Sequence, residues 1–272
     1  MSSNANTLPH TSGTAAPLSL VADRWIYAAV ALLFVVTVLV GFVPTSLERI
    51  AATQAGGRAP IPLALHAHAV TMGAWLLLFL AQTVLVSSGR VAVHRRLGLL
   101  SFALAPAVVL AMVVQTRSPW LEIAALPAGA VDAAVLAGAK ARLANVLFEQ
   151  IRSAVLFPLF FGWAIAVRRT DLETHKRMMM LATWVLLNAA IDRVVGRWLP
   201  TNFPMGYEAE YAYLLLWLAP LLVYDVVRRG RLHRAYVIGL LCVMSFAVAS
   251  HFLWGSPQWL RLAPAIVFIP NW

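Results

Sequence analysis

"HAHAVTMGAWLLLFLAQTVLVSSGRVAVHRRLG", residues 66–98, is an apolar run bordered by histidines. From Ala69 to Gly89 it carries no charge, and at 1.5 Å per residue a helix of this length crosses about 30 Å of hydrocarbon. Polar groups are costly in lipid, so those that interrupt such a run mark places with a reason to be polar. Here they are His66 and His68 at one border, Gln82 within the run and His94 at the other border. On a helix His68 and His94 lie about 39 Å apart, one at each face of the membrane.

The rest of the chain agrees. Of its 272 residues 61% are hydrophobic and 12% charged, which excludes an ordinary soluble domain. Apolar runs near 25–43, 63–88, 98–116, 146–167, 178–198, 208–227 and 236–254 predict an all-α integral membrane bundle of about seven transmembrane helices. The net charge of +10 does not point to nucleic acid, because the cations stand at the ends of apolar runs. The loops "GRVAVHRR", "RRTDLETHKR" and "RRGRLHR" are dense in arginine and lysine, and the alternate loops are mixed in charge. That alternation places the N-terminus in the cytoplasm and the C-terminus outside, in a bacterial-type inner membrane.

Three segments stand apart from the spans. Residues 1–22 begin polar and small without a basic start, so they read as a disordered cytoplasmic tail rather than a cleaved signal. Residues 117–145 are apolar but hold Pro127, Asp132, Lys140 and Arg142, which predicts a surface or re-entrant segment on the outer side. Residues 255–272 are broken by proline and read as an outer interfacial tail, with Trp254, Trp259 and Trp272 in the aromatic belt. The membrane domain is therefore 23–254. Cys242 is alone, so no disulfide forms within the chain.

Sorted by depth, the polar groups form two layers. His94, His175 and His233 lie at the inner border, each beside a basic residue. His66, His68 and His251 lie at the outer border. On the second span His68, Trp75 and Gln82 recur every seven residues and share a face. His66 and His68 point apart in a helix and fall on one side in an extended chain, and both forms are open. The outer layer also holds Glu149, Arg152 and Ser153 on the fourth span and Asn188, Asp192 and Arg193 on the fifth. Ionisable groups at this depth face a bundle interior and find partners there. They either line an outward polar cavity or form two ion pairs, Glu149 with Arg193 and Asp192 with Arg152.

At "GRVAVHRRLG", "DLETHKRMMMLATWVLLNAAIDR" and "DVVRRGRLHRAYVIG" the chain resembles an uncharacterised bacterial family of multi-spanning membrane proteins. The shared elements are a His-Arg-x-Leu-Gly step after one span and a His-Lys-Arg-Met step opening a later one. The resemblance implies that His94, His175 and His233 belong to shared elements, and it carries no activity. More loosely, two histidine layers on a small bundle resemble the dihaem b-type membrane cytochromes.

Three functions follow. A redox protein would hold haem b or a transition metal, with His94 and His175 as the inner pair and His68 with His251, or His66, outside. It would have a redox partner in the membrane. A membrane enzyme would use Glu149, Asp192 and His68 on a hydrophobic small molecule or lipid, with Arg152 or Arg193 holding an anionic head. Gln82, Asn188 and His233 would line such a site. A transporter or accessory subunit without cofactor would need only ion pairs and lipid contacts. Metalloprotease, diphosphate, nucleotide-loop and retinal-lysine signatures are absent. Reporter fusions after Arg96, Arg169 and Arg231 are expected to read cytoplasmic, and an external signal at any of them overturns the two-layer assignment.

Overall fold

The computed structural model describes residues 18–199 and 207–269, and among them it is helical with no strand. The helices are α1 (Leu18–Gln54), α2 (Leu63–Ser87), α3 (Val91–Leu97), α4 (Ser101–Ala124), α5 (Ala133–Val167), α6 (Leu172–Trp184), α7 (Asn188–Trp198), α8 (Tyr207–Arg229), α9 (Arg234–Leu253) and α10 (Pro257–Ile266). A 3₁₀ turn, Gly98–Leu100, joins α3 to α4. Six helical stretches are long and apolar enough to span, and α6 with α7 makes a seventh bent by 56°. Leu32, Leu77, Leu110, Leu216 and Leu241 are each more than half exposed. Apolar surface on that scale is covered by lipid, so the chain is a multi-pass membrane protein.

Four expectations need correction. The fifth span is not a straight helix over 178–198: it starts at Leu172 and breaks at 185–187, where α6 ends and α7 begins. Residues 117–145 do not form one element. Residues 117–124 continue α4, and 133–145 open α5, whose first turn is capped by Asp132 accepting from Ala134 N (2.8 Å) and Val135 N (3.2 Å). At 35 residues α5 is about 52 Å long, so roughly two fifths of it extends beyond about 30 Å of hydrocarbon. The segment 255–272 holds α10, and its Trp259 is buried rather than at the lipid interface. Trp272, like most of the predicted tail 1–22, lies outside the described residues, while 18–22 begin α1.

Two cores hold the bundle. The larger gathers Phe34 of α1, Trp75 of α2, Phe157 and Phe160 of α5, Met178, Leu181 and Trp184 of α6, and Tyr236 of α9. The smaller joins Trp120 of α4, Leu147 and Phe148 of α5, and Trp259 and Ala263 of α10. The Trp259 indole anchors α10 by donating to the Ala144 carbonyl (2.8 Å). The α6 segment is central, and its broken end is stitched by side chains. Ser153 Oγ donates to the Val185 carbonyl (2.9 Å), and Trp184 Nε1 donates to the Leu214 carbonyl (2.6 Å). A carbonyl freed by a helix break inside lipid needs such a donor.

Close approach of α1 to α7 depends on Gly41, where an added Cβ would stand 2.6 Å from the Ala190 carbonyl oxygen. At Gly239 the same addition meets only the Leu181 methyls, which can turn away. Gly41→Ala is therefore expected to lower stability by about 1–3 kcal/mol through overpacking. Gly239→Ala should stay near neutral, since alanine recovers roughly 0.5–1 kcal/mol of helix propensity. Thermal unfolding of purified protein in detergent separates them, and equal effects would show that the α1–α7 approach is not tight.

Candidate functional site

The break at 185–187 brings four helices to one polar cluster. Glu149 and Arg152 come from α5, Asn188 from the start of α7, Glu210 and Tyr211 from α8, and Ser250 from α9. Arg152 is fully buried and Glu149, Asn188 and Glu210 nearly so. Glu149 Oε2 pairs with Arg152 Nη1 (2.7 Å) and accepts from Asn188 Nδ2 (3.2 Å). Its Oε1 accepts from Tyr211 Oη (3.1 Å) and Ser250 Oγ (3.2 Å). Glu210 Oε1 accepts from the same Asn188 Nδ2 and from Arg152 Nη2 (3.4 Å). The guanidinium also lies 4.9 Å from the centre of the Tyr211 ring.

Depth follows from helix length. Ser250 stands about 24 Å along α9 from Arg234, and Glu149 about 27 Å along α5 from Val167. The cluster therefore sits toward the end of the bundle that carries α10, beside the smaller apolar core to which Leu147 and Phe148 of α5 belong.

The ion pairs differ from those foreseen. Arg152 pairs with Glu149 and Glu210 and not with Asp192, and Glu149 does not pair with Arg193. Asp192 is exposed and within electrostatic reach of Glu149, Arg152 and Arg193. Arg193 Nη1 donates to the Ala189 carbonyl (2.6 Å), and its guanidinium lies 4.3 Å from the centre of the Phe42 ring. Asn188 and Asp192 share a face but lie one turn apart, and the break sets Asn188 against α5 and α8 while Asp192 stays at the rim. Glu210 was missed because it reads as part of a charged loop. Its spacing holds the signal: Glu210, Leu214, Leu218, Leu221 and Asp225 recur at three or four residues, and all are buried.

At the opposite end the histidines separate into two roles. His233 is the N-cap of α9, accepting from Ala235 N (3.2 Å), while its own N–H donates to Asp225 Oδ2 (3.0 Å). Burial, with Arg177 and Arg229 beside it, holds this imidazole below its ordinary value, which suits a neutral ring that accepts. Asp225 in turn pairs with the buried Arg177 of α6, whose Nε stands 3.0 Å from Oδ2. Arg177 also meets Glu173, which takes Lys176 and Arg229 as well. Asp171 caps α6, and the Thr174 hydroxyl and amide, with Arg234, hold its carboxyl well below the usual range.

His94 and His175 lie within electrostatic reach of one another. His175 Nδ1 donates to the Ala164 carbonyl (2.9 Å), which leaves Nε2 unprotonated, as a metal ligand requires. His94 is set the other way. In the orientation that satisfies both ends of its amide, Gln82 accepts from Gly98 N (2.9 Å) and donates to the His94 carbonyl (3.0 Å) and to His94 Nδ1. The neutral ring then carries its proton on Nε2, so with Gln82 in place His94 offers iron no free nitrogen. A haem held between these two rings needs the His94 proton on Nδ1, with the Gln82 oxygen turned to accept it.

Among the described residues three further histidines remain. His66 and His68 both fall in regular helix, so they point apart and share no metal; His66 is exposed. His68 rests against the Ala111 backbone of α4, and His251 meets Phe252 edge-on. Among the described residues no three His, Cys, Asp or Glu side chains gather as a metal's ligand set. Compared with protein-family models, curated proteins and solved structures, the chain matches none of them.

Removing one partner of a buried ionic cluster strands the others, at a cost of about 3–5 kcal/mol. Arg152→Met is therefore expected to be strongly destabilising, and adding Glu210→Gln should recover part of the loss. A double-mutant cycle on thermal unfolding checks the coupling, and strict additivity would show that Arg152 and Glu210 do not interact.

Proposed function

We propose that this chain is a proton-coupled transport protein, working in a bacterial-type inner membrane with its N-terminus and basic loops in the cytoplasm. The observation that carries the reading is a charge count. Glu149 and Glu210 both accept from one Asn188 nitrogen, and one guanidinium, Arg152, serves them both. Two carboxylates this close in a buried site do not both stay ionised beside one cation, so the pair holds a proton. Asp192 and Arg193 at the rim offset one another and do not change the count.

The break in the span supports transport over the other classes. Discontinuous spans with polar groups at the break are how many carriers bind and release ions near the membrane interior. Here α7 begins at the cluster, so the positive end of its dipole faces the two carboxylates and helps hold one of them ionised. Proton loss from the second carboxylate leaves one negative charge more than the site can balance. The strain falls on Asn188, which bridges both acids and is the first residue of α7. Protonation thereby acts on the joint between α6 and α7.

Infrared difference spectra of purified protein between pH 5 and 9 test the reading. A protonated carboxyl band that titrates in this range and is lost in Glu210→Gln or Glu149→Gln is the expected result. Its absence overturns the proposal. A haem absorption band in the same sample, lost on His94→Ala or His175→Ala, would favour electron transfer instead.

A further inference from the structure

We infer that the Glu149–Glu210 site exchanges its proton for a monovalent alkali cation, an inference that rests on the proton-holding reading above. The oxygens gathered there are all hard: the two carboxylates and the Tyr211 and Ser250 hydroxyls, with the Asn188 amide oxygen carried on the side chain that bridges the two acids. The contacts described for the cluster include no imidazole or thiol. Such a set selects alkali or alkaline-earth ions over transition metals.

Asn188 supplies the second observation. Its Nδ2 is used twice by the carboxylates, but its Oδ1 is buried without a hydrogen-bond partner, in a residue only 9% exposed. An acceptor stranded inside a protein is costly, and a cation bound between Oδ1 and a carboxylate satisfies it.

Charge decides the valence. The buried site takes Glu149 and Arg152 from α5, Glu210 and Tyr211 from α8 and Ser250 from α9, while Asp192 and Arg193 of α7 stand at its rim with Arg142 of α5 in reach of Arg193. Fully ionised, the two carboxylates and one guanidinium of the buried cluster sum to one negative charge. A proton or a monovalent cation cancels it, whereas a divalent ion leaves a positive charge buried beside the dipole of α7. The exchange balances: one carboxyl proton leaves to solvent as one cation enters.

Sodium is the probe, with choline chloride holding ionic strength constant, on detergent-purified full-length protein. Sodium is expected to release about one proton per chain and to raise thermal stability. Its apparent affinity should fall about tenfold for each pH unit of acidification while the carboxyl is protonated. Calcium should release none. Asn188→Leu, shown folded by its elution as a single species, should lose the sodium response. If the band titrates but sodium releases no proton, the exchange is wrong while the proton-holding reading stands. If the band is absent, both fall. A response to calcium stronger than to sodium, or one unchanged in Asn188→Leu, overturns the site as drawn. The wild-type proton release decides the matter even where the variant does not fold.

Discussion

A single buried guanidinium, Arg152, holds this bundle's polar centre together. It lies fully out of solvent, where an unpaired charge would cost several kcal/mol, so neighbouring helices must bring acids to it. Glu149 reaches it from one turn earlier on α5, and Glu210 reaches it from α8. Asn188, Tyr211 and Ser250 then donate to those acids, which ties α7, α8 and α9 to the same point. The break in the α6–α7 span lies at the same point, since α7 begins at Asn188. The freed Val185 carbonyl is taken by Ser153 from α5.

The two ends of the bundle solve the burial of charge differently. At the end bearing His233, the buried Arg177 meets Asp225 and Glu173, and further cations crowd the same Glu173. Acids there are fully matched, so the network clamps α6 to α8 without leaving a proton to move. At the other end acids outnumber their cation within the buried cluster. Between the two lies apolar packing of Trp75, Phe157, Met178 and Leu181, all of it buried. One end is built to stay paired, and the other is built around an imbalance.

The histidines show why residue type at a given depth is a weak guide to chemistry. His233 caps a helix, His175 rests on a carbonyl and His94 is gripped by Gln82. Each ring has a local hydrogen-bond role that depth does not disclose. Gln82 was legible as an odd polar group in a span, but its partner lies beyond the end of α2, across the turn into α3. That contact sets the Gln82 amide against His94 Nδ1.

Much of the fold was legible in the sequence because it is local. Run length alone located the spans: six stand as long apolar helices and the seventh as a bent pair, with α8 and α9 close to their expected bounds. Shared faces on one helix were likewise readable, as with Trp75 buried between the half-buried His68 and Gln82. What lay beyond reach depends on how helices rotate and where they meet. The break at 185–187 occurs in an apolar stretch with no proline or glycine to announce it. The pairing of Arg152 with Glu210, and the docking of α10 through Trp259, join residues far apart in the chain. The sequence by itself determined that the chain crosses the membrane repeatedly and carries acids and arginines at two depths, because hydrocarbon exacts both from composition. Which acid meets which arginine, and that one cation serves two of them, was decided only by tertiary packing, since helix rotation and the bend between α6 and α7 are set by long-range contacts.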